Sequence, residues 1–216
     1  MRESTGRFDS TIRCLAERWS GAGLLLPGFP LLAQGNPLTV GQIANAVGVN
    51  DHEVEEALGK ARCTFNEGGR LIDLFGMTLA PTYHRLEIDG KVVFSCCALW
   101  AHVIPKLVDR VVLVESVDPQ SRKLVRLEIT PEKVQNVNPD TALGTLAVAD
   151  AASIEQDVGS VFCSHVRHFA SSDSAHQYAA GSSSCTVVDL NELHEIAGQL
   201  YEAILMSLGD DPSRHS

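Results

Sequence analysis

Hydrophobic positions along this chain fall into two regimes. In the first third they recur at helical spacing. In "STIRCLAERWS" Ile12, Leu15 and Trp19 make one apolar stripe, which predicts a short helix. "PLTVGQIANAVGVNDHEVEEALGKA" predicts two more. Thr39 caps a helix that turns Ile43 and Val47 inward, and Gly48 ends it. Asn50 or Asp51 caps the next, with Val54 and Leu58 facing the core. "NEGGRLIDLFGMTLAP" then reads as a short β-ribbon with glycine turns.

From Pro81 an alternation of period two takes over. "YHRLEIDGKVVFSC" is a pair of strands joined by Asp89-Gly90, a strong hairpin signal. "CALWAHVIPKLV" returns to helical periodicity, with Leu99, Val103 and Leu107 on one stripe and Pro105 expected to kink it or begin a second turn. "RVVLVESVD", the turn "PQSR" and "KLVRLEIT" form another hairpin. "LGTLAVA" predicts a buried strand, followed by a short helix near Asp150–Asp157. "SVFCSHVRHFAS" reads as a strand, "SSDSAHQYAA" as a helix start capped by Ser172 or Asp173, and "CTVVDL" as a strand. A last amphipathic helix, about Asp189 to Leu208, turns Leu193, Ile196, Leu200, Ile204 and Leu208 inward.

The helix, tight glycine turn, helix and ribbon of residues ~36–80 are similar to a winged-helix unit. The expected fold is α+β. A winged-helix-like N-terminal domain (1–80) packs on a C-terminal mixed β-sheet domain with flanking helices (81–209), and 210–216 form a disordered tail. At 216 residues and 44% hydrophobic the chain can bury a proper core. The net charge of −10 argues against a nucleic-acid partner, and the would-be recognition helix "DHEVEEALGKA" is itself acidic. The N-terminus has no secretory apolar core. "GAGLLLPGFPLLA" is a proline-containing connection, too short to span a membrane, so no membrane partner is expected. A cytoplasmic setting with reduced cysteines follows.

The six cysteines show no regular spacing. Cys14, Cys63 and Cys185 read as small core residues. Cys97 sits where a strand hands over to a helix, where unpaired backbone N–H groups favour a thiolate. Strand alternation would put Cys163 and His165 on one face. Two thiolates from separate segments suit a soft, thiophilic metal. A zinc site of Cys96, Cys97, Cys163 and His165 is a rival, although the chain has no C-x-x-C. A Cys97–His165 pair for acyl transfer is another.

The "CALW…IP" segment after "DGKVVFSC", with "FCSHVRHFAS" later, resembles the alkylmercury (organomercurial) lyase family. "GMTL", "EIDGK" and "ITPEKVQNVNP" extend the likeness over nearly the whole chain. The resemblance implies protonolysis of a carbon–mercury bond. Cys97 and Cys163 would hold mercury as thiolates, and an acid would protonate the departing carbon. It implies no cofactor, mercury being substrate and product, and delivery of Hg²⁺ to cellular thiols or a mercuric reductase. The family pattern has its acid, an aspartate, where this chain has Trp100, and an indole has no proton to exchange at working pH. His165 is then the preferred proton source, with Cys96 and His102 the other titratable groups near in sequence. Cys96 is otherwise a core bystander. A non-catalytic binder of a soft metal or organometal, with Trp100 walling the pocket, is the alternative function.

Overall fold

The computed structural model describes residues 8–18, 22–61, 63–182 and 184–209; Trp19, the side chain of Leu208 and residues 210–216, which the sequence reading also singled out, lie outside what is described. The N-terminal helices are α1 (Asp9–Glu17), α2 (Gly28–Leu32), α3 (Val40–Val47) and α4 (Asp51–Lys60). Their boundaries follow local chemistry. Thr39 and Gln42 close a capping box on α3, Gly48 ends it at φ +80°, and Asn50 with Glu53 closes a second box on α4. Ile43, Val54 and Leu58 are buried as the spacing predicts, whereas Val47 is only partly so. The expected connection at 21–33 is itself largely helical, a 3-10 turn at Gly23–Leu25 running into α2.

The strands are β1 (Thr64–Phe65), β2 (Leu71–Leu74), β3 (Met77–Thr78), β4 (His84–Ile88), β5 (Lys91–Ser95), β6 (Val112–Val117), β7 (Leu124–Ile129), β8 (Val134–Asn138), β9 (Leu143–Ala147), β10 (His168–Phe169) and β11 (Cys185–Val188). The first eight form one sheet in the order β1-β2-β3-β5-β4-β6-β7-β8, and β10-β9-β11 form a second. Every described pairing is antiparallel, so the sheet expected to be mixed is not: hairpin connections, Asp89-Gly90 among them, dictate antiparallel neighbours. The ribbon β1–β3 is a continuation of the large sheet, because Met77 pairs with Ser95 and Thr78 with Phe94 across residue 80.

The remaining helices are α5 (Ala98–Val108), α6 (Ala151–Val161), α7 (Ser172–Ala179) and α8 (Leu190–Gly209). Helix α5 is buried on nearly every side, so its expected single stripe is a core helix instead, and it runs unbroken past Pro105. Ser171, rather than Ser172 or Asp173, caps α7. Asp118, at the β6–β7 turn, accepts from the Ser121 and Ala170 N–H groups and the Ser174 hydroxyl, and so ties that hairpin to β10 and α7. Among the described residues no helix is long and apolar enough to cross a membrane.

A chain of buried histidines crosses the interior. His84 Nδ1 lies 2.8 Å from Ser116 Oγ, which lies 2.8 Å from His168 Nδ1, and His168 Nε2 is 3.2 Å from His102 Nε2. The His194 ring stands 5.7 Å from that of His102. Burial pushes His84, His102 and His194 below the usual imidazole range and His168 down to about 3. These groups are neutral in the fold, while the unfolded chain protonates them below about pH 6.5. Stability is therefore full above that pH and falls as pH drops toward 3. His168 alone should cost about 2 kcal/mol at pH 5. Melting temperature should fall steeply between pH 7 and 5, and His168→Gln should flatten that dependence. An equal slope in the variant would show that the ring does not carry it.

Candidate functional site

Strand β5 ends at Ser95 and α5 begins at Ala98, which leaves Cys96 and Cys97 as the junction. Cys97 is the N-cap of α5, in extended conformation (φ −155°, ψ 170°), and is fully buried. Three hydrogen bonds fix this junction. The Ser95 hydroxyl donates to the Cys97 carbonyl at 2.8 Å, the Cys96 N–H to the Gly76 carbonyl at 2.9 Å, and the Ala98 N–H to the Val166 carbonyl at 3.0 Å. The last of these joins the first cysteine motif to the second.

Cys163 does not lie on a strand. It opens a 3-10 turn, Cys163–His165, directly after α6, and strand geometry is confined to His168–Phe169. Apolar residues in "SVFCSHV" are buried on several sides (Phe162, Cys163 and Val166), and such a run reads as a strand by pattern. A 3-10 turn advances about 120° per residue. Residues two apart therefore diverge, and His165 does not share the face of Cys163. Its carbonyl accepts from the Thr145 hydroxyl at 2.7 Å.

The sulfurs of Cys96, Cys97 and Cys163 all lie within 4.8 Å of one another, and Cys96 Sγ is 3.7 Å from Cys163 Sγ. Cys96, read from sequence as either a core bystander or a proton source, lies within the cluster. Burial works against ionising Cys97. Hydrogen bonds from the Cys163 and Cys96 thiols, the Trp100 backbone N–H and the charge of Arg167 outweigh it and hold Cys97 well below the usual thiol range. Cys96 is raised, first by its hydrogen bond to Cys163, then by that to Cys97 and by burial. Cys163 gains from the Cys96 hydrogen bond, but its bond to Cys97, burial and the Cys97 charge raise it overall. The arrangement favours ionisation of Cys97 over that of its two neighbours.

A cavity of about 190 Å³ opens on this cluster. Its walls include Cys96, Cys163, Trp100, Gly76, Asp73 and Arg18. Cys97 is fully buried and is not among the lining residues. A wider cleft of about 390 Å³ adjoins it and shares Arg18, Ala61 and Phe75. Trp100 lies against Gly76 so closely that a Cβ there would come 2.7 Å from the indole Cγ. His165 and His102 are not among the residues lining the cavity, and His102 is tied into the histidine chain. Asp73 was missed in the sequence. Its one signal is a lone acid in the otherwise apolar "LIDLF" of β2. Cys63, near Asp73, is pushed up to about 12, first by burial and then by the Asp73 charge. Cys14 and Cys185 lie outside the cluster.

The family model described as alkylmercury lyase (MerB) matches residues 77–202. An alkylmercury lyase of Streptomyces lividans is 33% identical over 217 residues, spanning 95% of this chain and 98% of that protein. One from Staphylococcus epidermidis is 34% identical over 183 residues, 83% of each chain. One from Pseudomonas putida is 30% identical over 176 residues, 79% of this chain and 81% of that one. Among solved structures, the mercury-bound form of MerB2 has a similar fold, with a TM-score of 0.74 at 14% identity over 89% of this chain and 98% of that one. The family model spans more than half of the chain and the relatives align along most of it, so the protein with this three-sulfur junction belongs to the alkylmercury lyase family.

Proposed function

We propose that this protein cleaves the carbon–mercury bond of organomercurial cations R–Hg⁺ by protonolysis, with Cys97 and Cys163 as the mercury ligands. The observation that carries this reading is the cluster of three cysteine sulfurs, all within 4.8 Å of one another, gathered at the start of α5. Soft thiolates prefer soft metals, and mercury is softer than zinc. Cys97, the strongest nucleophile of the three, takes R–Hg⁺ from a small-molecule thiol. Cys163 then loses its proton and adds as the second ligand. Two thiolate donors load electron density onto mercury and weaken its bond to carbon. The bonding pair of that bond becomes a C–H bond when a proton arrives, and mercury stays Hg²⁺ throughout. The reaction needs no resident cofactor. The product, held by sulfur, passes by thiol exchange to cytoplasmic thiols or a mercuric reductase.

The presence of Trp100 on the cavity wall, where the family pattern carries its acid, favours a second reading: a binder that holds organomercury without cutting it. One assay separates the two. Reduced protein with phenylmercury and excess thiol should release benzene with turnover beyond one equivalent. Stoichiometric binding of phenylmercury with no benzene would replace the lyase with the binder.

A further inference from the structure

The reaction just described needs a proton at the carbon, and Trp100 cannot supply it. We propose that the carboxyl of Asp73 is the proton carrier of this site, taking the thiol proton of Cys163 as mercury binds and returning it to the departing carbon. This assignment rests on the lyase reading above and names the acid that reading leaves open.

Asp73 sits on β2 between Leu71 and Leu74, both of which are buried in the core. Its own side chain instead lines the cavity that Cys96, Cys163 and Trp100 line. The turn that follows it, Phe75–Gly76, uses two positive φ angles, +44° and +93°. That turn delivers the Gly76 carbonyl to the Cys96 N–H at 2.9 Å, and Met77 pairs with Ser95 just beyond. The hairpin bearing the carboxyl is therefore bolted to the backbone of the cysteine junction, and Asp73, Cys96 and Cys163 line one cavity. Trp100 forms another wall of the same cavity. The cavity thus has an indole on one wall and a carboxyl entering from a different strand.

The chemistry suits the placement. Burial raises the Asp73 carboxyl to about 6, against a lowering hydrogen bond from Thr78 across the β2–β3 pair. A carboxyl in that range is charged often enough to accept a proton near neutrality and acidic enough to give it back. The other ionisable groups around it are Cys63, whose thiol burial and the Asp73 charge keep protonated, Arg18 on the cavity wall, and the two cavity thiols. The steps balance. Cys163 S–H gives its proton to the Asp73 carboxylate as sulfur bonds mercury. The Asp73 O–H then protonates carbon as the Hg–C pair becomes the C–H bond. Hydrocarbon leaves, Hg²⁺ remains on two sulfurs, and the carboxylate is restored.

The test is a single turnover with methylmercury followed by intact mass and by methane release. Wild-type protein should pass from a methylmercury adduct to a mercury adduct. Asp73→Asn keeps size and the Thr78 partner; it should bind methylmercury fully but convert it about a hundredfold more slowly, the range general acids supply. The methylmercury adduct should persist. Asp73→Glu, with a matching melting temperature, should recover part of the rate, which a merely structural role would not produce. Wild-type conversion together with an unslowed Asp73→Asn would overturn the assignment and leave the lyase standing. A wild-type protein that holds methylmercury uncut would remove the lyase reading and this assignment with it.

Discussion

Replacing Cys97 by serine should abolish benzene release from phenylmercury, by at least about a thousandfold, and should weaken mercury capture as well. Cys97 is the sulfur on which ionisation converges. Two neighbouring thiols, a helix N-terminus and Arg167 all favour its thiolate, against the burial that opposes it. A serine hydroxyl in the same place keeps its proton and is a hard oxygen, a poor ligand for a soft metal. Cys163→Ser should fail differently. Mercury still docks on Cys97, but with one sulfur donor the carbon–mercury bond is not weakened, so organomercury accumulates on the protein uncut. Cys96→Ser should cost no more than about tenfold, because two sulfurs remain for the metal. The comparison has a specific way to fail. Cys96 and Cys163, whose sulfurs are 3.7 Å apart, both line the cavity, and Cys97 is not among its lining residues. If Cys96→Ser is dead and Cys97→Ser survives, the working pair is Cys96 with Cys163. Cys97 would then be a buried cap of α5.

The part of this site legible in the sequence is the part written in local chemistry. Thr39, Gly48 and Asn50 are capping residues whose preferences act over three or four positions, and the first helices fall where they say. Asp89-Gly90 likewise sets the β4–β5 hairpin, which in turn places the strand-to-helix junction at Cys96 and Cys97. The family resemblance rested on the two cysteine motifs, and the sulfurs do converge. What pattern could not give is everything set by long-range packing. "FCSHV" is apolar on more than one side because it is enclosed, not because it is extended. The expectation that His165 shares a face with Cys163 inherited that misreading, since it depended on a strand. Asp73 is 23 positions from the nearest cluster cysteine, and the β3–β5 pairing with the Cys96–Gly76 hydrogen bond brings its hairpin to the junction. No spacing rule reaches that far. β8 was missed as an element because "VQNVN" is half-exposed at the sheet edge and carries too few apolar positions to register.

Gly76→Ala should destabilise the protein by about 3 kcal/mol, from two sources that can be separated. Gly76 stands at φ +93°, where an L side chain costs about 1–2 kcal/mol. An added Cβ would also meet Trp100 Cγ, Cδ1 and Cδ2 at 2.7, 2.8 and 2.9 Å. Those atoms belong to a rigid ring close to its backbone, so the indole must move as a unit, an overpacking cost of about 1–3 kcal/mol. In a Trp100→Leu background the ring is gone, and Gly76→Ala should cost only the backbone part, about 1 kcal/mol. Urea unfolding of the four proteins in this cycle measures the difference. Equal costs in both backgrounds would mean that the turn alone demands glycine and that the ring contact is incidental. The unequal outcome has a functional consequence. Gly76 also accepts the Cys96 N–H, so a displaced indole and a displaced turn both disturb the cysteine junction. Gly76→Ala should therefore slow hydrocarbon release more than its loss of stability explains. The room that Gly76 leaves is what allows an indole to form a wall of the cavity beside the cysteine cluster.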